Sequence, residues 1–323
     1  MAALLEVKDV CVDYVTLDGH VRAVDNVSFS IKEGQIFGLA GESGCGKSTL
    51  AYALMRLHRP PALITGGSII FDGKDVLEMD DETLRKFRWE KISMVFQSAM
   101  NCLNPVIKLE KQFFEIFKYH DVTDSMDESR DRTAELLKLV GIAPERMRDY
   151  PHQFSGGMRQ RAVIAMALAL RPKLLVMDEP TTALDTVVQR SILQKVQELK
   201  EELGFSILFI THDLSLMMEF CDTIGIMYAA EIVEKASSSV ILKSPRHPYS
   251  YGLKNSFPPL HGEMKYMEGI PGSPLDLRRI PNGCRFAERC FNAKDKCYRE
   301  VPPRMHDGDD FFECHFPLNA SRG

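Results

Sequence analysis

Nowhere does this sequence carry an apolar run long enough to cross a bilayer. The longest, residues 162–170, falls far short of the ~20 residues a membrane-spanning helix needs. It also lacks an excess of positive charge. Its formal net charge is -5, so no global basic field speaks for nucleic acid, and none is expected as a partner. The opening stretch MAALLEVKDV lacks the basic start and apolar segment of a secretory leader. These absences predict an intracellular protein that reaches a membrane only through other chains. What is there suits a folded globular protein: 323 residues, 45% hydrophobic, enough for one large domain and an appendage.

The stretch around which the chain is organised is 41–49, GESGCGKST. Gly41, Gly44 and Gly46, followed by Lys47 and Ser48, fit the phosphate-binding pattern GxxxxGK[ST] with an added glycine. The apolar residues 36–39 before it read as a buried strand, and 49–57 after it as a helix. Glycines let the backbone turn and aim its N–H groups at phosphate oxygens, and a helix start adds partial positive charge. All of Gly41, Glu42, Ser43, Gly44, Cys45, Gly46, Lys47, Ser48 and Thr49 are therefore candidate nucleotide contacts. Lys47 is expected on the β and γ phosphates and the Ser48 hydroxyl on Mg²⁺.

Residues 5–14 and 21–31 read as strands joined by a turn at Asp18-Gly19. Tyr14 is either an edge aromatic or a stacking face for a base. The segment 59–67 reads as a Pro/Gly-rich connection, 68–71 as a strand and 80–86 as a helix. Residues 92–96 read as a strand that ends in Gln97, a cap or loop residue unless it serves a ligand. Residues 109–119 and 129–140 read as helices separated by the acidic stretch 121–131, a solvated charge run. Ser155, Gly156 and Gly157 precede a helix at 158–170 and make a second, weaker phosphate nest. The strand 174–177 delivers Asp178 and Glu179: Asp178 suits Mg²⁺, and Glu179 could orient and deprotonate water. A polar loop at 181–185, a helix at 187–202 and a strand at 205–210 lead to His212 at another strand end. A helix at 214–220 and a strand at 223–228 complete the alternation, which predicts a mostly parallel sheet covered on both faces. After Pro245 proline and glycine become frequent, so a small, loop-rich appendage poor in apolar residues is expected there.

Together these motifs resemble the ATP-binding subunit of ABC transporters over about residues 4–240. The resemblance implies an α/β fold: a P-loop NTPase, ABC-type nucleotide-binding domain with a helical insert and a small iron–sulfur C-terminal appendage. The ATPase domain would cover 1–245, with the helical subdomain at about 98–172, and the extension 246–323. Tyr14 is similar to the family's adenine-stacking aromatic. Residues 154–158, FSGGM, match the family signature, with Phe154 and Met158 in place of its leucine and glutamine. The resemblance implies that two such subunits close head to tail over two ATPs, Ser155, Gly156 and Gly157 touching the partner's γ-phosphate. It implies Glu179 as general base, His212 on the γ-phosphate, Gln97 sensing Mg²⁺ and the membrane subunit, and Asp185 coupling the two sites.

Several stretches are similar to one branch, the dipeptide and oligopeptide importers: GESGCGKS, Leu103-Asn104-Pro105, the run 155–161, His247-Pro248-Tyr249, 269–274 and 283–290. Ala229-Ala230 departs from that branch's alanine-glycine and leaves a local turn in doubt. The branch also contains oligosaccharide and nickel importers, and the ATPase motifs do not choose between cargoes. Its members work on the cytoplasmic face of the membrane with a second, related ATPase, two permeases and an extracytoplasmic solute-binding protein. A soluble ABC-type ATPase acting on ribosomes or repair complexes is the other class, but it often carries two cassettes or a coiled coil, and this chain has neither.

Half of the eight cysteines, Cys284, Cys290, Cys297 and Cys314, crowd the appendage. Their spacing leaves zinc and an iron–sulfur centre near parity. The branch resemblance implies a [4Fe–4S] cluster with a structural job, Zn²⁺ being the alternative. No catalytic motif adjoins these cysteines in sequence, and Cys45 reads as merely a small residue of its loop.

Overall fold

The structure, a computed structural model, describes residues 3–16, 19–97, 101–181, 184–256 and 269–318. The chain divides into two units, the first combining Met1–Lys32, Ile36–Glu78 and Phe209–Gly323, the second Glu33–Gln35 and Met79–Leu208.

In the first unit, β1 (Ala3–Thr16), β2 (Gly19–Lys32), β4 (Ala62–Phe71) and β5 (Lys74–Asp75) form an antiparallel sheet in the order β2-β1-β4-β5. β1 and β2 are the strand pair expected at 5–14 and 21–31, and the addition of β4 and β5 to them was not expected. β3 (Ile36–Ala40) pairs parallel with β9 (Thr223–Tyr228), as expected of a βαβ chain. β10 (Glu231–Ser237) then pairs antiparallel with β9 and with β12 (Asp310–Glu313), which carries β11 (Arg304–Asp307). The helices are α1 (Lys47–Leu54), α7 (Leu214–Phe220), α8 (Ser238–Lys243), α9 (Pro248–Asn255) and α10 (Asp295–Arg299). The second unit holds α2 (Asp81–Glu90), β6 (Ile92–Val95), α3 (Leu109–Tyr119), α4 (Met126–Leu139), α5 (Gly156–Ala167), β7 (Leu174–Asp178) and α6 (Thr186–Leu203), with β6 and β7 parallel. β8 (Ser206–Ile210) starts in the second unit, and its last two residues belong to the first. Every residue of β3, β7 and β8 is buried, which is why these strands read as short unbroken apolar runs.

Four expectations shift. The Pro/Gly-rich segment 59–67 is not all connection, because β4 already starts at Ala62. Its glycines serve a bulge: pairing passes from Lys8↔Ser68 to Cys11↔Gly66, and Gly67 has φ +83. The acidic run 121–131 does not separate two helices, because α4 begins inside it at Met126 with Ser125 as its cap. Gly156 and Gly157 lie in the first turn of α5 rather than before it. The appendage is less poor in core than expected, for Phe286, Phe311 and Phe312 are buried. Asp18 of the expected hairpin turn lies outside the described residues.

Candidate functional site

The loop between β3 and α1 is shaped for close approach. Gly46, the residue that caps α1, has φ +110, and a Cβ there would run into the Ala23 carbonyl. A Cβ at Gly41 would likewise collide with the Met227 carbonyl, so glycine alone fits both positions. Lys47 is buried, and its Nζ donates to the Gly41 carbonyl at 2.8 Å and the Glu42 carbonyl at 2.9 Å. Its ammonium is thus held over the loop whose N–H groups it would assist. The Tyr14 hydroxyl stands 3.4 Å from Thr49 Oγ1, so the structure brings this aromatic to the start of α1. Cys45 is buried, and desolvation pushes its thiol up, which agrees with a small, inert loop residue.

Ala229 and Ala230 follow β9 with φ +45 and +75, a left-handed turn that glycine would adopt with less strain. The turn in doubt nevertheless forms. The Ala230 N–H donates to the Cys45 carbonyl at 3.0 Å, and the Ala230 carbonyl accepts from Asp25 N at 2.9 Å. His212 is exposed just beyond β8, and Asp213 after it caps α7 by accepting from Leu216 N at 3.1 Å.

The second unit holds its own set of predicted site residues. Asp178 is fully buried at the end of β7. Glu179 follows with φ +44, a conformation a glutamate rarely takes, and its Oε2 accepts from Gln97 Nε2 at 3.0 Å. Ser155 caps α5, its Oγ accepting from Met158 N at 3.3 Å, and Gly156 and Gly157 follow with their amides in the first turn. A Cβ on Gly157 would stand 2.9 Å from Val188 Cγ1, so bulk there meets α6. Asp185 caps α6 by accepting from Val188 N at 3.0 Å. Thr182 and Ala183 of the intervening loop lie outside the described residues. Gln97 and Asp178 of this unit supply an amide oxygen and a carboxylate, oxygen donors of the kind Mg²⁺ takes.

Residues 24–182 match the family described as ABC transporter, and 233–297 the family described as Oligopeptide/dipeptide transporter, C-terminal region. The Oligopeptide transport ATP-binding protein OppD of Escherichia coli is 45% identical over 303 residues, 93% of this chain and 89% of that protein. The chain belongs to the ABC transporter family. Similar too is the Dipeptide transport ATP-binding protein DppD of Caldanaerobacter subterraneus subsp. tengcongensis, 38% identical over 98% of this chain and 97% of its own length. Among solved structures, the ATP-binding cassette MJ0796, described as a dimer in a post-hydrolysis state bound to ADP and Pi, matches with a TM-score of 0.65. It is 31% identical, over 72% of this chain and 98% of that one. The fold is thus the mixed α/β P-loop fold of an ABC ATPase.

Among the described residues, no group of three or more His, Cys, Asp or Glu side chains is arranged to hold a metal ion. At Cys284, Cys290, Cys297 and Cys314, therefore, neither an iron–sulfur appendage nor a zinc site is shown. The four thiols are free and share one region. Burial pushes Cys284 up to about 11 and Cys314 up to about 12, and the neighbouring cysteines add to both shifts. A backbone bond from Cys284 N to the Cys297 carbonyl, 2.7 Å, ties two of their segments.

The extension also reaches the nucleotide loop, from which its cysteines are far in sequence. Arg289, beside Cys290, donates from Nη1 and Nη2 to the Glu42 carboxylate at 2.6 and 2.8 Å. The Tyr249 hydroxyl on α9 accepts from Glu42 N at 3.0 Å. Sequence reasoning missed both contacts. Its one available signal was an acidic residue, Glu42, inside a phosphate loop, where its charge calls for a nearby cation.

Proposed function

We propose that this chain is the ATP-hydrolysing subunit of an importer for dipeptides or oligopeptides. The observation that carries the reading is the pairing, on one chain, of the ABC transporter match with a peptide-transporter C-terminal match at 233–297. The named peptide-transport relatives, similar along nearly the whole chain, support it. Among the described residues no helix is long and apolar enough to cross a membrane, so the path for cargo falls to permease subunits. The chain would sit peripherally on the cytoplasmic face, with a second, related ATPase, two permeases and a solute-binding protein. We assign 1–245 to the ATPase domain, its helical subdomain at about 98–172, and 246–323 to the extension.

For the chemistry, Tyr14 would stack on adenine, and residues 41–49 would wrap the phosphates with Lys47 on the β and γ oxygens. Ser48 and Asp178, with Gln97, would hold Mg²⁺, which would offset negative charge on the phosphates. The Glu179 carboxylate would accept a proton from water as the water oxygen attacks the γ-phosphorus and ADP departs, with His212 holding the γ-phosphate. Ser155, Gly156 and Gly157 would complete the partner's site, and Asp185 would link the two. Cys284, Cys290, Cys297 and Cys314 would hold a [4Fe–4S] cluster. Four free thiols in one region are the donor chemistry such a cluster takes.

The test is the assembled transporter in proteoliposomes, weighed by light scattering and assayed with cargo-loaded binding protein. We expect two different ATPases with two permeases, and hydrolysis stimulated by peptides. Stimulation by an oligosaccharide or nickel instead, with indifference to peptides, would overturn the cargo. Full activity without permeases would overturn the transport reading.

A further inference from the structure

The contact between Arg289 and Glu42 joins residues separated by 247 positions, and it is unusually well enclosed. Arg289 is 8% exposed. Its two terminal nitrogens fork onto the two oxygens of one carboxylate, and its Nε donates to the Pro271 carbonyl at 2.8 Å. The guanidinium stands 5.7 Å from the Tyr228 ring centre and 6.0 Å from that of Phe286. Tyr228, Tyr249 and Phe286 pack on one another with centroids 4.6–5.3 Å apart, so the fork rests on a rigid aromatic bed. Glu42 is held at three points: its carboxylate by Arg289, its N–H by Tyr249, and its carbonyl by the Lys47 ammonium.

Two physical effects follow for the phosphate loop. A bare carboxylate at Glu42 would repel a triphosphate bound on the same loop, and Arg289 cancels that charge. The Glu42 carbonyl is also one of the two that hold Lys47, so freeing the Glu42 side chain loosens the lysine's mooring. We propose that Arg289 is a positioning residue of the nucleotide site: acting through Glu42, it lets the C-terminal extension set the affinity for a nucleoside triphosphate. This rests on the reading that residues 41–49 bind ATP. A second arginine of the same segment supports it from the other side. Arg285 pairs with Asp25 and, at 2.8 Å, with Glu231, and it donates to the Ala229 carbonyl at 2.5 Å in the turn that bonds Cys45.

The experiment is equilibrium binding of a fluorescent ATP analogue to the full chain, with thermal melts checking that each variant is folded. Arg289→Met should weaken binding about tenfold, within the range of coupled neighbours. Glu42→Gln, which removes the charge, should cost less. The double variant should bind better than Arg289→Met alone, because the stranded carboxylate is gone. Arg289→Lys, which keeps the charge without the fork, should fall between wild type and Arg289→Met, and it serves if the methionine variant does not fold. A general loosening by the extension would not be rescued by Glu42→Gln, so additive losses overturn the proposal. Wild-type affinity in both arginine variants also overturns it. A wild-type chain that binds no ATP would instead refute the nucleotide reading of the loop itself.

Discussion

At Glu179 backbone strain falls on the residue proposed as general base. Its φ of +44 is costly for a glutamate, on the order of 1–3 kcal/mol. The strained backbone presents a carboxylate that Gln97 Nε2 grips at 3.0 Å. If this carboxylate takes the proton from water, Glu179→Gln should retain ATP binding yet lose turnover about 10²-fold or more. Single-turnover hydrolysis in the assembled transporter checks this, and a rate near wild type would remove Glu179 from the role. The glycine loop between β3 and α1 and the strand that ends in Asp178 were legible because they lie in short, local patterns. The conformation of Glu179 was not, since glutamate has no preference for it. Nor was the Arg289 fork on Glu42, because each residue alone reads as an ordinary surface charge.

Elements were legible where propensity and caps agree. α3 and α7 lie at the residues their apolar pattern predicts. α4 starts earlier than its pattern because Ser125 caps it and Asp127 and Glu128 suit the positive end of its dipole. The first part of β4, 62–67, was hidden because glycines that serve a bulge look like loop residues. α9 uses a less common cap: His247 Nδ1 accepts from Tyr249 N at 3.0 Å, with the ring buried. Burial pushes this imidazole from 6.5 down to about 3. The folded chain therefore resists its protonation. The stability it contributes is complete above about pH 6.5 and is lost at about 1.4 kcal/mol per unit as pH falls toward 3. His247→Asn keeps a capping oxygen without a titrating ring. Its melting temperature should fall less than that of wild type between pH 7 and pH 5, whatever its absolute value. Equal falls in the two proteins would show that His247 is not a source of acid sensitivity.

For the whole molecule, the proposed cluster sets the metal content. Anaerobically purified protein should hold about four irons and four sulfides, with the broad visible band of thiolate-bound clusters. One zinc and no colour would replace the assignment. The sequence suggested that a metal must substitute for an absent core in the extension. Phe286, Phe311 and Phe312 supply some of that core, and β12 adds to β10, so the metal would act on a segment already anchored. Composition hid this because three aromatics scattered among prolines and glycines do not form a pattern until the chain folds.

The first unit draws on the beginning, a middle stretch and the end of the chain. The ribosome makes the chain in one direction, at ~5–20 residues per second. Glu42 is therefore synthesised with its ion-pair partner still 247 residues away, roughly 10–50 s of translation at that speed. Throughout that interval the nascent phosphate loop carries a carboxylate with no Arg289 to meet it. A message cut short before the extension yields a loop that never acquires this cation, so completion of the chain is itself a condition for a finished nucleotide cradle.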